Sequence, residues 1–379
     1  MHSCVESCRK QRRKSLEKLF ALLNISQPIE TIRSPNCFTT LNYLGELIFY
    51  EEFDKLDMGV WQHEITMSGG GNWEFQMYWN NRTNSYAEDG ILHIRPTLMS
   101  DLKGEEFLWT GTMSLYGGGP ADECTNPAFW GCERAGNPTN IINPTVSARI
   151  RTVNSFTFKY GTVEVSAKMP AGDWLWPAIW MLPAKNAYGM WPASGEIDLV
   201  ESRGNLDLSM EGVQIGTQQV GSTLHFGPFW PVNGYEVANY KRNLGSGYHD
   251  DFHLYKVEWT PDYIKFTLDG TELGTVTPGE DGFWNLYPFD ENYPGLDSPW
   301  SLGTKMAPFD QEFYLIVNLA VGGTNGFFPD GTTGPYPKPW SNTSPQAFKD
   351  FWDRRGDWYP TWIEDDTHLQ VEYVKVWAL

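Results

Sequence analysis

Residues 255–270 read YKVEWTPDYIKFTLDG. Tyr255, Val257 and Trp259 alternate with polar residues; TPDY intervenes, and Ile264, Phe266 and Leu268 then alternate again. A period of two places every second side chain on one face of a strand. The Asp269–Gly270 pair suits a tight hairpin turn, which needs left-handed backbone at both central residues. The stretch therefore predicts antiparallel strands with one face turned to a core. The same alternation runs through GTVEVSAKMP (Val163, Val165, Ala167, Met169) and through Phe313, Leu315, Val317 and Leu319. LIFYEEFD, GILHIRP and LQVEYVKVW read as further strands, and 37 glycines and 25 prolines supply the turns between so many short elements. The predicted class is all-β, an antiparallel sandwich.

Helical signals are sparse. SPQAFKDFWDRR places Ser344 before Pro345, with Phe348, Phe351 and Trp352 at spacings of three and four, and predicts one short surface helix. Arg355–Gly356–Asp357 is read as the end of that helix rather than as an adhesion tripeptide. No Pro/Ser-rich linker interrupts the chain beyond residue 45, so residues 46–379 are expected to form one domain behind an N-terminal extension, residues 1–45. In that extension CRKQRRKSLEKLFALLN is basic, then amphipathic, with Leu16, Leu19, Phe20 and Leu23 at helical spacing. Its apolar part is short and interrupted by charge, unlike a clean signal peptide.

Within residues 195–205, GEIDLVESRGN, three acids sit among Ile197, Leu199 and Val200. On a regular strand Glu196 and Asp198 share a face and Glu201 points away. One extra residue, a β-bulge near Val200, returns Glu201 to the shared face. Two long carboxylates with a short one between them match the needs of retaining glycosidic cleavage, where two carboxyl groups flank the bond about 5–5.5 Å apart. Glu196 is then the nucleophile, Glu201 the acid/base and Asp198 the assisting acid, whose like charge helps hold Glu201 protonated. Upstream, in DWLWPAIWMLP, Trp174, Trp176, Ala178 and Trp180 share one parity, some to floor a cleft and some to fill the core.

Composition narrows the partner. Aromatics make up 15% of the chain and tryptophans number 18, and flat apolar faces edged by an N–H suit sugar rings. A net charge of −19 argues against nucleic acid and anionic membrane surfaces. No apolar run reaches the length of a membrane span. Of five cysteines, Cys124 and Cys132 bracket the short loop ECTNPAFWGC and can close a local disulfide; Cys4, Cys8 and Cys37 lack His neighbours at zinc-ligand spacing. Glycosylation sequons stand at Asn24, Asn81 and Asn342.

WLWPAIWMLP followed by WPASGEIDLVESRGN resembles glycoside hydrolase family 16, above all its laminarinase-like members. GGGNWEFQMYWNNR, SARIRTVNSFTFKYGTVEVSAKMP, GSTLHFGP, PFDQEFYLIVNLAVGGTNGFFPD and LQVEYVKVWAL extend the resemblance over residues 45–379. Its nearest likeness is to invertebrate β-1,3-glucanases and the related β-1,3-glucan-binding proteins. The resemblance implies a concave β-jelly roll with an open cleft, retaining chemistry without a catalytic cofactor, and secretion to the cell exterior. It also implies the roles of Glu196, Asp198 and Glu201 just given. Their E-x-D-x-x-E spacing is the bulged form of laminarinases, so the expected substrate is β-1,3-linked glucan. By the same resemblance His225 stands near the acid/base, Asn72 and Arg151 contact sugar hydroxyls, and Trp176 and Trp180 stack on rings or line the cleft. Some members hold a structural calcium ion on the convex face, where Glu372 replaces the usual Asp and lengthens the arm. The leading expectation is an endo-acting β-1,3-glucanase; the alternative is a glucan-recognition protein of innate immunity.

Overall fold

The computed structural model describes residues 45–117, 119 and 121–379. The extension, with its helical pattern, three of the cysteines and Asn24, lies outside the described residues. Two antiparallel sheets account for most of the strands. The outer, eight-stranded sheet runs in the order Thr271–Val276, Ile264–Leu268, His253–Trp259, Gly161–Lys168, Leu369–Trp377, Ile91–Ile94, Ser85–Glu88, with Leu47–Glu51 also paired to Leu369–Trp377. The inner, seven-stranded sheet is built from β1 (Gln62–His63), β2 (Arg149–Arg151), β3 (Leu175–Pro183), β4 (Glu196–Ser202), β5 (Gln219–His225), β6 (Asn239–Asn243) and β7 (Phe313–Val321). Its spatial order is β6-β5-β4-β3-β7-β2-β1.

The hairpin read from residues 255–270 forms as its pattern demands. Tyr255 pairs with Leu268 and Trp259 with Ile264, and Tyr255, Val257, Trp259, Ile264, Phe266 and Leu268 are all buried. Asp269 and Gly270 adopt φ of 49° and 75°, and Asp269 Oδ1 accepts a hydrogen bond from the Leu254 amide. Val163, Val165 and Ala167 fill the same layer from the neighbouring strand.

The structure adds detail to three expectations. The alternating run of Phe313, Leu315, Val317 and Leu319 forms β7, and every position of Phe313–Val321 is buried. Its second face is covered because Asn318 accepts a hydrogen bond from Trp180 Nε1 (2.6 Å) and donates one to the Tyr78 hydroxyl (3.1 Å). The expected surface helix is Ala347–Asp353; Arg354 (φ −101°, ψ 15°) breaks it, and a second turn of helix, Arg355–Trp358, follows. These are two of five short α-helices among the described residues, and the apolar face of the first is sunk deep, with Phe351 against Phe75 and Trp358. Within the tripeptide, Arg355 pairs with Glu105, and Asp357 pairs with Arg354. Glu372 is the extra residue of a bulge in Leu369–Trp377, where Ser166 pairs with Tyr373 and Ala167 with Val371. Its carboxylate accepts a hydrogen bond from Ser166 Oγ (2.9 Å). It belongs to no group of three metal-ligating side chains among the described residues.

Cys124 and Cys132 are joined by a disulfide, with Cα atoms 5.6 Å apart. Closing so short a loop is worth roughly 2–3 kcal/mol in chain entropy. The C124S/C132S double variant is expected to lose about that much stability in urea unfolding. Alkylation of native protein without reductant should leave both residues unmodified, and labelling at either one would contradict the bridge.

Candidate active site

Residues paired across an antiparallel ladder share a face, so the register builds the site directly. On β4, Asp198 pairs with Thr223 of β5 and Glu201 with Gly221, three residues on one strand against two on the other. On the opposite side Val200 pairs with Ile179 and Asp198 with Trp180. This is the bulge expected from the parity of the acids. Its carbonyl, that of Leu199, accepts a hydrogen bond from Ser222 Oγ (2.6 Å), while Leu199 and Val200 are themselves buried. Glu201 therefore lies in one row with Ala178, Asn318 and Arg149, and Asp198 in the next with Trp180, Ile316 and Arg151. Glu196 is opposite His225. Gly195 starts the strand at φ +83°, where a Cβ would meet the Phe309 ring at 2.9 Å, so the entry turn requires glycine.

Each glutamate has its own donor. Trp191 Nε1 donates to Glu196 Oε2 and Trp176 Nε1 to Glu201 Oε1, both at 2.9 Å. Asp198 is almost fully buried and within hydrogen-bonding reach of Glu196. His225 Nε2 stands 3.3 Å from Asp198 Oδ2 and 3.8 Å from Glu196 Oε1. Asn233 Oδ1 accepts from the amides of Phe226 and Tyr235, which turns its Nδ2 toward His225 Nδ1 at 2.8 Å. With Nδ1 thus an acceptor, the neutral imidazole carries its proton on Nε2, facing the acids.

Burial first, and then the neighbouring carboxylates, push Glu196 up to about 8. Burial and Glu201 push Asp198 well above the usual carboxylate range. Burial also raises Glu201, against His225, Trp176, Arg203 and Lys241, which favour its charged form. The cluster holds proton at neutral pH because three desolvated carboxylates so close together cannot all be ionised.

The sequence-derived binding residues are placed as follows. Asn72 donates to Glu74 and accepts from Asn325, and its carbonyl lies beside Gly323, which in turn borders the Trp176 ring. Trp176 is nearly buried and stacked on Phe327 (3.9 Å, 5°), so its part is to hold Glu201 rather than to offer an open ring face. Trp180 carries the Arg149 guanidinium over its ring at 4.5 Å. Arg151 shares the face but bonds Gln62 and Glu64, three strands from the acids. Sequence reasoning missed Trp191, Asn233, Arg149 and the pair Arg203–Phe327. The Arg203 guanidinium covers the outer face of Phe327 at 4.2 Å and bonds its carbonyl, completing a stack behind Trp176. Only Trp191 carried a local signal, five residues before Glu196.

A model of the glycosyl hydrolases family 16 matches residues 131–295. The Beta-1,3-glucan-binding protein of Penaeus monodon is 54% identical over 342 residues, covering 88% of this chain and 90% of that one. Beta-1,3-glucan-binding protein 1 of Galleria mellonella is 36% identical over 349 residues, 88% of this chain and 64% of that protein, so the chain spans less than two thirds of this insect relative. Glucan endo-1,3-beta-glucosidase A1 of Niallia circulans is 34% identical over 287 residues, 73% and 34% of the two chains. Among solved structures, the laminarinase from Rhodothermus marinus shares the fold, with a TM-score of 0.54 at 24% identity over 88% of this chain and 97% of that one.

Because the folded state binds proton at Glu196 more tightly than the unfolded chain, this site's contribution to stability is present below the ordinary carboxyl range and is lost as pH rises toward 8. Glu196→Gln removes that loss. The variant is expected to melt about 2–5 °C above wild type at pH 8, with a smaller gain at pH 5. A difference in calorimetric Tm that does not vary with pH would contradict the coupling.

Proposed function

The chain belongs to glycosyl hydrolase family 16, and on that premise we propose that it is an endo-acting, retaining β-1,3-glucanase acting on laminarin-like or fungal-wall glucan. The observation that carries this reading is the bulge, which sets Glu196, Asp198 and Glu201 on one face with a separate N–H donor on each glutamate.

In the first step Glu196, ionised, attacks the anomeric carbon, while Glu201 gives its proton to the departing glycosidic oxygen. The C–O bond to the leaving sugar breaks as the bond to Glu196 forms. In the second step Glu201, now a carboxylate, takes a proton from water. That water attacks the same carbon and frees Glu196. Asp198, within hydrogen-bonding reach of Glu196, shares the cluster's proton with the glutamates, so Glu196 can be ionised for attack while the cluster as a whole is protonated. The Nε2–H of His225 faces this pair and steadies it. The steps use carboxylates, an imidazole and indoles alone. A chain carrying a disulfide suits an oxidising compartment, which supports an extracellular site of action.

A second reading has a specific observation behind it: relatives at 54% and 36% identity carry the name of glucan-binding proteins. On that reading the same cleft senses β-1,3-glucan in immunity with weak or no turnover. Release of reducing sugar from laminarin separates the two. Wild type is expected to release it at neutral or mildly acidic pH, and Glu196→Gln to lose at least about 10³-fold of the rate while still binding glucan. Binding by wild type with no release over hours would favour the recognition reading, and release from mixed-linkage glucan alone would sink the linkage assignment.

A further inference from the structure

Next to Asn72 the surface carries aromatic side chains that the site does not use. Trp73, Phe129 and Trp130 are 40%, 49% and 68% exposed. Trp73 and Phe129 meet at 5.4 Å with planes 60° apart, an edge-to-face contact that leaves ring faces to solvent. Single exposed aromatics are ordinary, whereas a contiguous group is not.

The backbone beneath them is left-handed at all three: φ is 53° at Trp73, 54° at Phe129 and 59° at Trp130. Bulky residues seldom adopt this conformation, and such strain persists only where surrounding structure enforces it. The enforcement is visible. The Cys124–Cys132 disulfide closes the loop that carries Phe129 and Trp130. Arg134 donates to the carbonyls of Phe129 (2.8 Å) and Met67 (3.0 Å) and to Asn143 (2.6 Å). Gly131 passes so close to Asn126 and Thr66 that a Cβ would lie 2.1 Å and 2.5 Å from their oxygens. On the other side Gly70, at φ +62°, wraps over the Glu74 carboxylate and lets the chain turn Trp73 outward.

We propose that Trp73, Phe129 and Trp130 form a rigid aromatic platform that continues the cleft past Asn72 and binds the sugar faces of a β-1,3-glucan polymer. Its place identifies the occupant: Trp73 follows Asn72, and the Asn72 carbonyl and the ring of Trp176, the donor to Glu201, both border Gly323, so the platform adjoins the segment that backs the proposed acid/base. A neutral polymer is compatible with a chain of net charge −19, where an anionic one is not. Prepaid ordering of the rings lowers the entropic cost of binding. The platform rests on the reading of the cleft as a glucan site and adds to it a preference for long chains.

The test is the ratio of affinities for laminarin and for laminaritriose, measured by calorimetry on the full chain carrying Glu196→Gln, so that the polymer is not cleaved during the titration. This background should favour the polymer, and adding F129A/W130A should lower the ratio about tenfold. Trp130→Phe, which keeps a ring, should restore most of it. Because the double variant removes exposed side chains, its Tm is measured alongside. If it melts lower than this background, the single variants W130A and W130F, compared at a temperature where both are folded, decide the matter by the same ratio. An unchanged ratio in folded variants overturns the platform while leaving the catalytic cleft intact. The background binding neither ligand would instead overturn the functional reading itself, and the platform with it.

Discussion

The constraint on which the site depends is the register slip between β4 and β5. A side chain can change face on a strand only if the backbone gains or loses a residue, and here Asp198 to Glu201 spans three residues against two on the partner. Without it Glu201 would enter the apolar layer beside Ile197 and Leu199, where a carboxylate has no solvation. With it, Leu199 and Val200 supply the core, and the strain of the extra residue is relieved by a hydrogen bond from Ser222 to the Leu199 carbonyl. The apolar pattern and the bulge cooperate: the same residues that bury the strand decide where the acids emerge.

Gathering three carboxyls costs stability, as their raised proton affinities state directly. The surrounding residues limit that cost selectively. Trp191 and Trp176 each favour the charged form of one glutamate. Asp198 receives no comparable donor and is the most buried of the three. Arg203 acts at longer range: its guanidinium lies over the Phe327 ring, and Phe327 is stacked on the tryptophan that holds Glu201. Orientation of the proposed acid/base thus rests on a column of flat groups rather than on one contact.

Much of this was legible in the sequence because it is local. Period-two alternation and Asp269–Gly270 specify the hairpin, and the parity of Glu196, Asp198 and Glu201 specifies the bulge without reference to any other strand. What was not legible depends on distant residues. Arg203 and Phe327 are 124 positions apart, and nothing in ESRGN or GGTNGFF shows that they stack. The alternation of Phe313, Leu315, Val317 and Leu319 marks one buried face, but nothing in it shows that Trp180 and Tyr78 arrive from other segments to cover the second. Trp176 has the right parity for the cleft, yet parity cannot say that Phe327 occupies its face. Glu372 fits a carboxylate position in a pattern, while its bulge and its Ser166 partner are matters of pairing.

On the proposed readings, catalysis and recognition would draw on separable parts of this surface. Turnover depends on proton affinities within a cluster a few ångströms across, where a small change in burial or donor geometry is felt tenfold for each 1.4 kcal/mol. Binding of a long neutral polymer depends on apolar area and rigidity spread along a groove, and tolerates the loss of any single polar contact far better. A protein of this architecture can therefore lose hydrolysis and keep affinity, but the reverse change would require dismantling the disulfide-closed loop and the tryptophan-lined sheet together. This asymmetry gives a physical reason why one scaffold carries names of both enzymes and glucan-binding proteins among its relatives. In this chain all three acids are present, with an indole donor on each glutamate, as the hydrolytic reading proposed above requires.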